Sequence, residues 1–347
     1  MDSQITYELL HKLPKTDLHC HLDGSLRINS ILEMAREYHV ELPTFDEEEF
    51  SKLVILPNKL NSLEEYLKAF DYTLLVLQEK DCIARAAYEL AIDAAAENVR
   101  HLEVRFSPIL HQARKLRSPE IIDAVLEGLD RAHKETNIST GVIICGMRNL
   151  PAIESKILAE LCVAYKDRGV VAFDLAGAEL DNPAKNHQEA FTLVLKNNIN
   201  CTLHAGEAYG PESISQALHY CGAHRIGHGT RLAEDGDLLN YVNDHRIPLE
   251  ICLTSNIQTN AVDTLEHHPF RFYFDYNIRV TLNTDNRLMS NTSMTNEFLI
   301  AAEQFDLTLD EIKDIIVSGF KSAFLPYRDK IRLLKQVLTE LNRPFIP

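Results

Sequence analysis

His19 and His21 stand one residue apart in the stretch Lys15-Thr16-Asp17-Leu18-His19-Cys20-His21-Leu22-Asp23-Gly24. In an extended strand alternate side chains leave on the same face, so two such imidazoles point the same way from positions about 7 Å apart. Neutral imidazole is the commonest protein ligand for zinc, yet two of them cannot hold a metal alone, and the stretch predicts further His or Asp ligands elsewhere. His204, which ends Cys201-Thr202-Leu203-His204, and Asp285, which follows Val280-Thr281-Leu282-Asn283-Thr284, are the candidates, each a polar residue closing an apolar, β-branched run. Three His and one Asp leave a metal position for water, the arrangement of a catalytic zinc, which activates that water near neutral pH and makes the expected reaction hydrolytic. A binuclear centre would need a bridging ligand, often a modified Lys on the fourth strand, and residues 170–175 contain none. One Zn2+ per chain is expected.

Two more motifs bring proton chemistry to the same place. In His204-Ala205-Gly206-Glu207 an acid follows a candidate ligand by three residues, and Gly206 lets the backbone turn sharply between them, so Glu207 would sit beside the metal without binding it. On this motif alone, a glutamate on a surface loop is an equal reading. His228 lies between Gly227 and Gly229, which lets its ring enter a crowded site. Asn286, next to Asp285, offers an amide donor and an acceptor, although an Asp-Asn pair by itself is also a turn signal. His267-His268-Pro269 could suggest another metal site, but Pro269 reads as a helix start and the two histidines as exposed.

These residues need elements to hold them. Period-two or continuous apolar runs predict strands at 15–22, 99–106, 141–145, 170–175, 200–204, 225–228, 248–253 and 279–284, with helical spacing between them. Ser118-Pro119-Glu120 reads as an N-cap followed by an N1 proline, and Thr308 with Glu311 as a capping box opening a helical tail. Eight strands alternating with helices, none joined by hairpin signals, indicate an α/β fold with an all-parallel sheet closed as a (β/α)8 TIM-type barrel; a doubly wound open sheet is the runner-up. Position favours the barrel, because His19, His21, Gly177, His204, Glu207, His228, Asp285 and Asn286 all fall at the C-terminal ends of strands, which converge on one face only in a barrel. A helix is expected over residues 26–40. Extra helices are expected after the first strand, in an insertion at about 41–98, where Tyr66 and Phe70 lie on an amphipathic stripe that could face a ligand or simply pack.

Composition sets the outer bounds. The 347 residues fit a single barrel domain over 1–347, and 45% hydrophobic with 25% charged content is ordinary for a globular chain with a large core. Fifty-one acidic against 35 basic residues give a formal charge of −16, which argues against nucleic acid and anionic membrane surfaces as partners. Seven cysteines without a CxxC pair read as reduced, buried thiols of a cytoplasmic protein. The N-terminal residues have no basic region or long apolar run, and no segment approaches about 18 apolar residues, so neither export nor membrane insertion is expected. The chain has no GxGxxG, P-loop, GxSxG, HExxH or PCxxC motif.

Taken together, Thr16-Asp17-Leu18-His19-Cys20-His21-Leu22-Asp23-Gly24-Ser25, Asp174-Leu175-Ala176-Gly177, His204-Ala205-Gly206-Glu207, Arg225-Ile226-Gly227-His228-Gly229 and Asn283-Thr284-Asp285 resemble the adenosine deaminase family of the amidohydrolase superfamily. The resemblance spans nearly the whole chain. It implies zinc held by His19, His21, His204 and Asp285, Glu207 protonating purine N1 as water adds to C6, and His228 orienting that water and helping to deprotonate it. It further implies that Gly177 meets purine N3 and Asp23 the ribose. In the family a second Asp commonly follows the zinc Asp and meets purine N7; here Asn286 and then Arg287 follow. The implied reaction is conversion of adenosine and 2′-deoxyadenosine to the inosine products and ammonia in purine salvage, with a small purine nucleoside as the binding partner. The alternative is another 6-aminopurine such as adenine, N6-methyl-AMP or aminofutalosine. No Lys/Arg cluster accompanies the motifs, which favours a neutral nucleoside, with Arg148 and Arg287 as the local cations that could reverse the preference.

Overall fold

The computed structural model describes residues 5–342. Eight strands, β1 (Lys15–His21), β2 (Val99–Phe106), β3 (Ser139–Met147), β4 (Val170–Ala176), β5 (Asn200–Ala205), β6 (Arg225–His228), β7 (Leu249–Ile251) and β8 (Val280–Leu282), form one parallel sheet in sequence order. A parallel bridge between Cys20 and Asp285 joins the last strand to the first. The architecture is the expected (β/α)8 barrel. Parallel strands must be buried on both faces, which is why β3 and β4 read as nearly continuous apolar runs in the sequence.

The later strands are shorter than the apolar pattern suggests. Residues 248–253 read as one strand, but β7 ends at Ile251, and Leu253 opens a helix, Leu253–Gln258. Burial alone makes a helix turn and a strand look alike over so few residues. The expected N-cap at Ser118 is also off by one: the helix Ser118–Thr136 begins at Ser118 itself, with Arg117 in the cap position and the Glu120 carboxylate accepting from the Arg117 N–H at 3.0 Å. The predicted capping box at Thr308 and Glu311 is present.

Between β1 and β2 the chain forms Ile28–Glu37, Glu47–Val54, Leu63–Leu67, Phe70–Val76 and the returning helix Lys80–Ala96. The first matches the helix expected over 26–40, and the rest make up the predicted insertion. Leu63–Leu67 starts where the Ser62 hydroxyl accepts from Glu65 N, and it buries Leu63 and Tyr66. The insertion therefore presents a mainly apolar face to the C-terminal end of the barrel.

The barrel interior is charged. Arg105 on β2 and Arg225 on β6 are both fully enclosed, and both donate to Glu250 on β7, at 2.8 and 2.6 Å. Arg225 also meets Glu103 at 2.6 Å and stacks on the Phe324 ring, its guanidinium carbon 3.5 Å from the centroid. The tail thus closes the N-terminal end of the barrel with Phe324. Buried charges are tolerable only when fully paired, and here each carboxylate is shared between cations and hydroxyl or imidazole donors.

Candidate active site

The C-terminal ends of β1, β5 and β8 bring His19, His21, His204 and Asp285 together, with their four ligand atoms all within 4.8 Å of one another. Asp285 is held between the two β1 histidines by the backbone, since His21 N donates to its carbonyl and its own N–H donates to the His19 carbonyl. To reach this position its backbone takes a left-handed φ of 60°, which a short polar side chain tolerates best. The His19 and His21 Nε2 atoms lie 3.1 and 3.2 Å from His204 Nε2, and 3.5 and 3.4 Å from Asp285 Oδ1. Ligands about 2.0–2.1 Å from a tetrahedral zinc are separated from one another by roughly 3.3 Å. The spacing fits that ion.

The hydrogen bonds behind the histidines make the same point chemically. His19 Nδ1 lies 2.8 Å from Glu250 Oε2, and His204 Nδ1 lies 3.0 Å from Asp174 Oδ2. Burial opposes ionisation of both acids, but Arg105 and Arg225 hold the Glu250 carboxyl well below the usual carboxylate range, and His204 and Arg105 do so for Asp174. A histidine that ligates a metal is neutral, and with each Nδ1 facing a carboxylate its one proton sits there, so both Nε2 atoms then present lone pairs to each other across 3.1 Å. Such an arrangement is repulsive unless a cation lies between them. Ser255 Oγ donates to Asp285 Oδ2 at 2.6 Å, leaving Oδ1 to face the histidines. Ligands oriented by outer partners in this way are characteristic of built metal sites.

Glu207 lies beyond this cluster on the loop after β5. Gly206 takes φ +70°, and a Cβ there would meet Ile214 Cδ1 at 2.5 Å, so the turn between His204 and Glu207 requires glycine. The loop is fixed by the buried Glu179, whose carboxylate accepts from the backbone N–H groups of Gly206, Glu207, Ala208 and Tyr209 at 2.6–3.0 Å. Burial, then the Asp285 and Glu179 charges, raises the Glu207 carboxyl well above its ordinary range, which favours its acid form. His228, at a left-handed φ of 64°, places Nε2 3.6 Å from Glu207 Oε2. The lone-motif reading of Glu207 as a surface glutamate does not hold, because the residue is 5% exposed.

These groups border a cavity of about 320 Å³ that Asp23, Gly177, Asn286, Tyr66 and Phe70 also line. The volume is at the small end for ligand pockets. Tyr66 hydrogen-bonds Ser290 at 3.0 Å, and the Phe70 ring stands edge-on to His21 with centroids 6.4 Å apart. Asn286 is packed so tightly on Gly24 that a Cβ at position 24 would lie 1.8 Å from its Oδ1. Asp23 Oδ1 and Ser107 Oγ are buried lining atoms without a protein partner among the described residues, and burial raises the Asp23 carboxyl to about 7. Among the described residues no Lys or Arg lines the cavity. Arg148 instead donates to the carbonyls of Asn182 and His204, and Arg287 pairs with Glu97 at 2.5 Å.

Sequence reasoning missed Glu250, Arg105, Glu179 and Ser107. Glu250 and Arg105 carried a signal, because each is a charged residue inside a strand that must be buried, and only a polar partner inside the barrel makes that tolerable. Glu179 carried none, as it lies in an ordinary loop. The reading of His267-His268 as exposed is half right: His267 is exposed and ion-pairs with Asp263, while His268 is buried behind the site at 4% exposure. Pro269 does precede a helix, Phe270–Asp275.

Comparison with known proteins gives a consistent picture. The profile of the family described as adenosine deaminase matches residues 14–340. A Dictyostelium discoideum protein named "Probable adenosine deaminase" is 41% identical over 335 residues, covering 96% of this chain, which spans 43% of that protein's length. The adenosine deaminase of Clostridium kluyveri is 37% identical over 335 residues, 96% of each chain. Among solved structures, an Arabidopsis N6-mAMP deaminase superposes with a TM-score of 0.85 at 28% identity, over 96% of this chain and 99% of that one.

Proposed function

The chain belongs to the adenosine deaminase family, and on that premise we propose that it hydrolyses adenosine and 2′-deoxyadenosine to inosine and 2′-deoxyinosine with release of ammonia, as a step of purine salvage. The observation that carries this reading is the buried Glu207, its carboxyl shifted upward by burial, beside a four-ligand cluster at the floor of the cavity. One zinc held by His19, His21, His204 and Asp285 would supply Lewis acidity, lowering the pKa of a water toward neutrality. Glu207 donates its proton to purine N1, which draws electrons from C6 and opens that carbon to attack. His228 orients the attacking water. As the C6–O bond forms and the C6–N6 bond breaks, the amino group takes up a proton and leaves as ammonia. Gly177 lies toward N3, Asn286 toward N7 as an amide donor, and Asp23 toward the ribose, while Tyr66 and Phe70 wall off the base from water.

The lining favours a neutral substrate. A 5′-phosphate in this cavity would meet the carboxylates of Asp23 and Asp71 and no cation, so AMP and N6-methyl-AMP are disfavoured although an Arabidopsis neighbour carries the latter specificity in its name. Seven free, buried cysteines accord with the reducing cytoplasm, and among the described residues no helix is long and apolar enough to cross a membrane. The test strips the purified protein with a chelator, reloads it with zinc, and follows ultraviolet absorbance with adenosine, 2′-deoxyadenosine, AMP, N6-methyl-AMP, adenine and aminofutalosine. Turnover should vanish on stripping, return with zinc, and show its highest kcat/KM for the two nucleosides. Full activity in protein shown metal-free by elemental analysis would refute the metal-dependent reading, and a higher kcat/KM for AMP would refute the nucleoside assignment.

A further inference from the structure

His228 is backed by a chain of hydrogen bonds whose direction is set at its far end. Phe270 N lies 3.0 Å from His268 Nδ1. A backbone amide can only donate, so His268 Nδ1 holds a lone pair. Burial pulls the His268 pKa down to about 3, and the ring is neutral, with its one proton on Nε2. That N–H faces Asn256 Oδ1 at 3.2 Å. The Asn256 amide is thereby oriented, since turning it over would set its NH2 against the His268 N–H. Its Nδ2 then donates to His228 Nδ1 at 3.0 Å. His228 Nδ1 is an acceptor, and in a neutral ring the proton must sit on Nε2, the nitrogen facing Glu207 and the cavity.

We propose that His268 and Asn256 are positioning residues that hold His228 in the Nε2–H tautomer, so that His228 meets the attacking water as a hydrogen-bond donor and not as a base. The inference rests on the deaminase reading above. The proton given up by the water passes to Glu207, whose carboxylate is free once N1 has taken its proton, and the imidazole ends the step as it began. All three residues are buried, so bulk water does not substitute for any link of the relay.

The deciding measurement is nitrogen-15 NMR of the histidine rings in the zinc-loaded, full-length protein. His228 should show a protonated Nε2 and an unprotonated Nδ1, and a protonated Nδ1 in the wild type would overturn the proposal whatever any variant does. Asn256→Asp keeps the shape but places an acceptor at Nδ1, moving the proton there. It should lower kcat by at least about tenfold, with KM within about threefold and zinc content unchanged. His268→Gln, whose amide can still donate to Asn256 Oδ1, should retain most of the kcat that His268→Ala loses. Wild-type kcat in Asn256→Asp, or equal losses in the two His268 variants, would also overturn it. The NMR result stands apart from the substrate assignment: a wild-type protein that deaminates no aminopurine sinks the functional reading, whereas the tautomer is read directly from the ring.

Discussion

The floor and the wall of the cavity are built by different means. On the floor, His19, His204 and Asp285 come from strand ends, and each is gripped by a second polar residue, Glu250, Asp174 and Ser255 respectively. The carboxylates Glu250 and Asp174 are in turn joined by one buried guanidinium, that of Arg105, at 2.8 and 3.1 Å. The wall is made of two short inserted helices, Leu63–Leu67 and Phe70–Val76, whose cavity side is Leu63, Tyr66, Leu67, Phe70, Asp71 and Leu74. Its contacts are apolar and non-directional, apart from the Tyr66 hydroxyl and the Asp71 carboxylate. The floor thus fixes atoms to within a hydrogen bond, and on the proposed reading it decides the reaction, whereas the wall excludes water and fits a shape. Substitutions on the floor should fall on kcat, and those on the wall on KM.

The largest effect on this comparison comes from Glu207→Gln, which keeps the shape and a donor but cannot transfer a proton. It should cost roughly 10²-fold to 10⁴-fold in kcat with zinc content unchanged, and a variant with near-normal kcat would remove Glu207 from proton transfer. The pH dependence has a definite sign. Burial, aided by Asp285 and Glu179, raises the folded-state pKa of Glu207 above its unfolded value, so kcat should fall as pH rises through the folded value. Stability responds in the same direction. Above the ordinary carboxyl pKa of about 4.3 the unfolded chain releases this proton and the folded chain keeps it, so stability is lost as pH rises between the two values. Urea unfolding of metal-free protein should therefore show Glu207→Gln gaining on the wild type as pH increases over that window.

A smaller effect is expected at Asn286, where floor and substrate recognition meet. An Asp at this position must carry a proton to donate to purine N7, whereas the Asn amide has donor hydrogens at every working pH. Losing one partner of a buried hydrogen bond costs about 1–3 kcal/mol, so Asn286→Ala should lower kcat/KM for adenosine by roughly tenfold to a hundredfold. With 7-deazaadenosine, which lacks the N7 acceptor, the loss should be much less. Equal losses would leave Asn286 as a residue that only packs on Gly24 after β8.

The floor was legible in the sequence because its residues obey strand arithmetic. His-X-His in a strand places two rings on one face, and a polar residue after an apolar run marks a strand end, so His19, His21, His204 and Asp285 could be grouped before any coordinates. The loop at Gly206 was legible because a sharp turn limits the residue choice. The partners behind the floor were not. Glu179 reaches four amides of residues 206–209 from 27 to 30 positions away, and Asn256 and His268 meet because a helix, Leu253–Gln258, begins at the last residue of the strand expected over 248–253. Contacts made across the barrel leave no local period to read, and a seventh strand expected to run two residues past Ile251 hid the turn that aims Asn256 at His228.

The smallest effect belongs to the wall, and Phe70 is the residue that isolates it. Tyr66 is 2% exposed and bonded to Ser290, so replacing it would disturb packing as well as the cavity. Phe70 is only partly buried, and its ring meets the cavity beside His21 without a polar tie. Phe70→Ala should therefore leave the fold and the zinc content intact and remove apolar contact with the bound base. Apolar contacts of this kind discriminate by about 1–3 kcal/mol at most, and a ring that still keeps some solvent contact lies at the lower end. KM for adenosine should rise roughly threefold to tenfold while kcat stays within about twofold, measured under saturating zinc. Because Phe70 stands edge-on to a ligand histidine, the opposite outcome is physically available: if the ring also braces His21, kcat and zinc affinity would fall together with KM unchanged. That result would move Phe70 from the wall to the floor and end the division of labour between them.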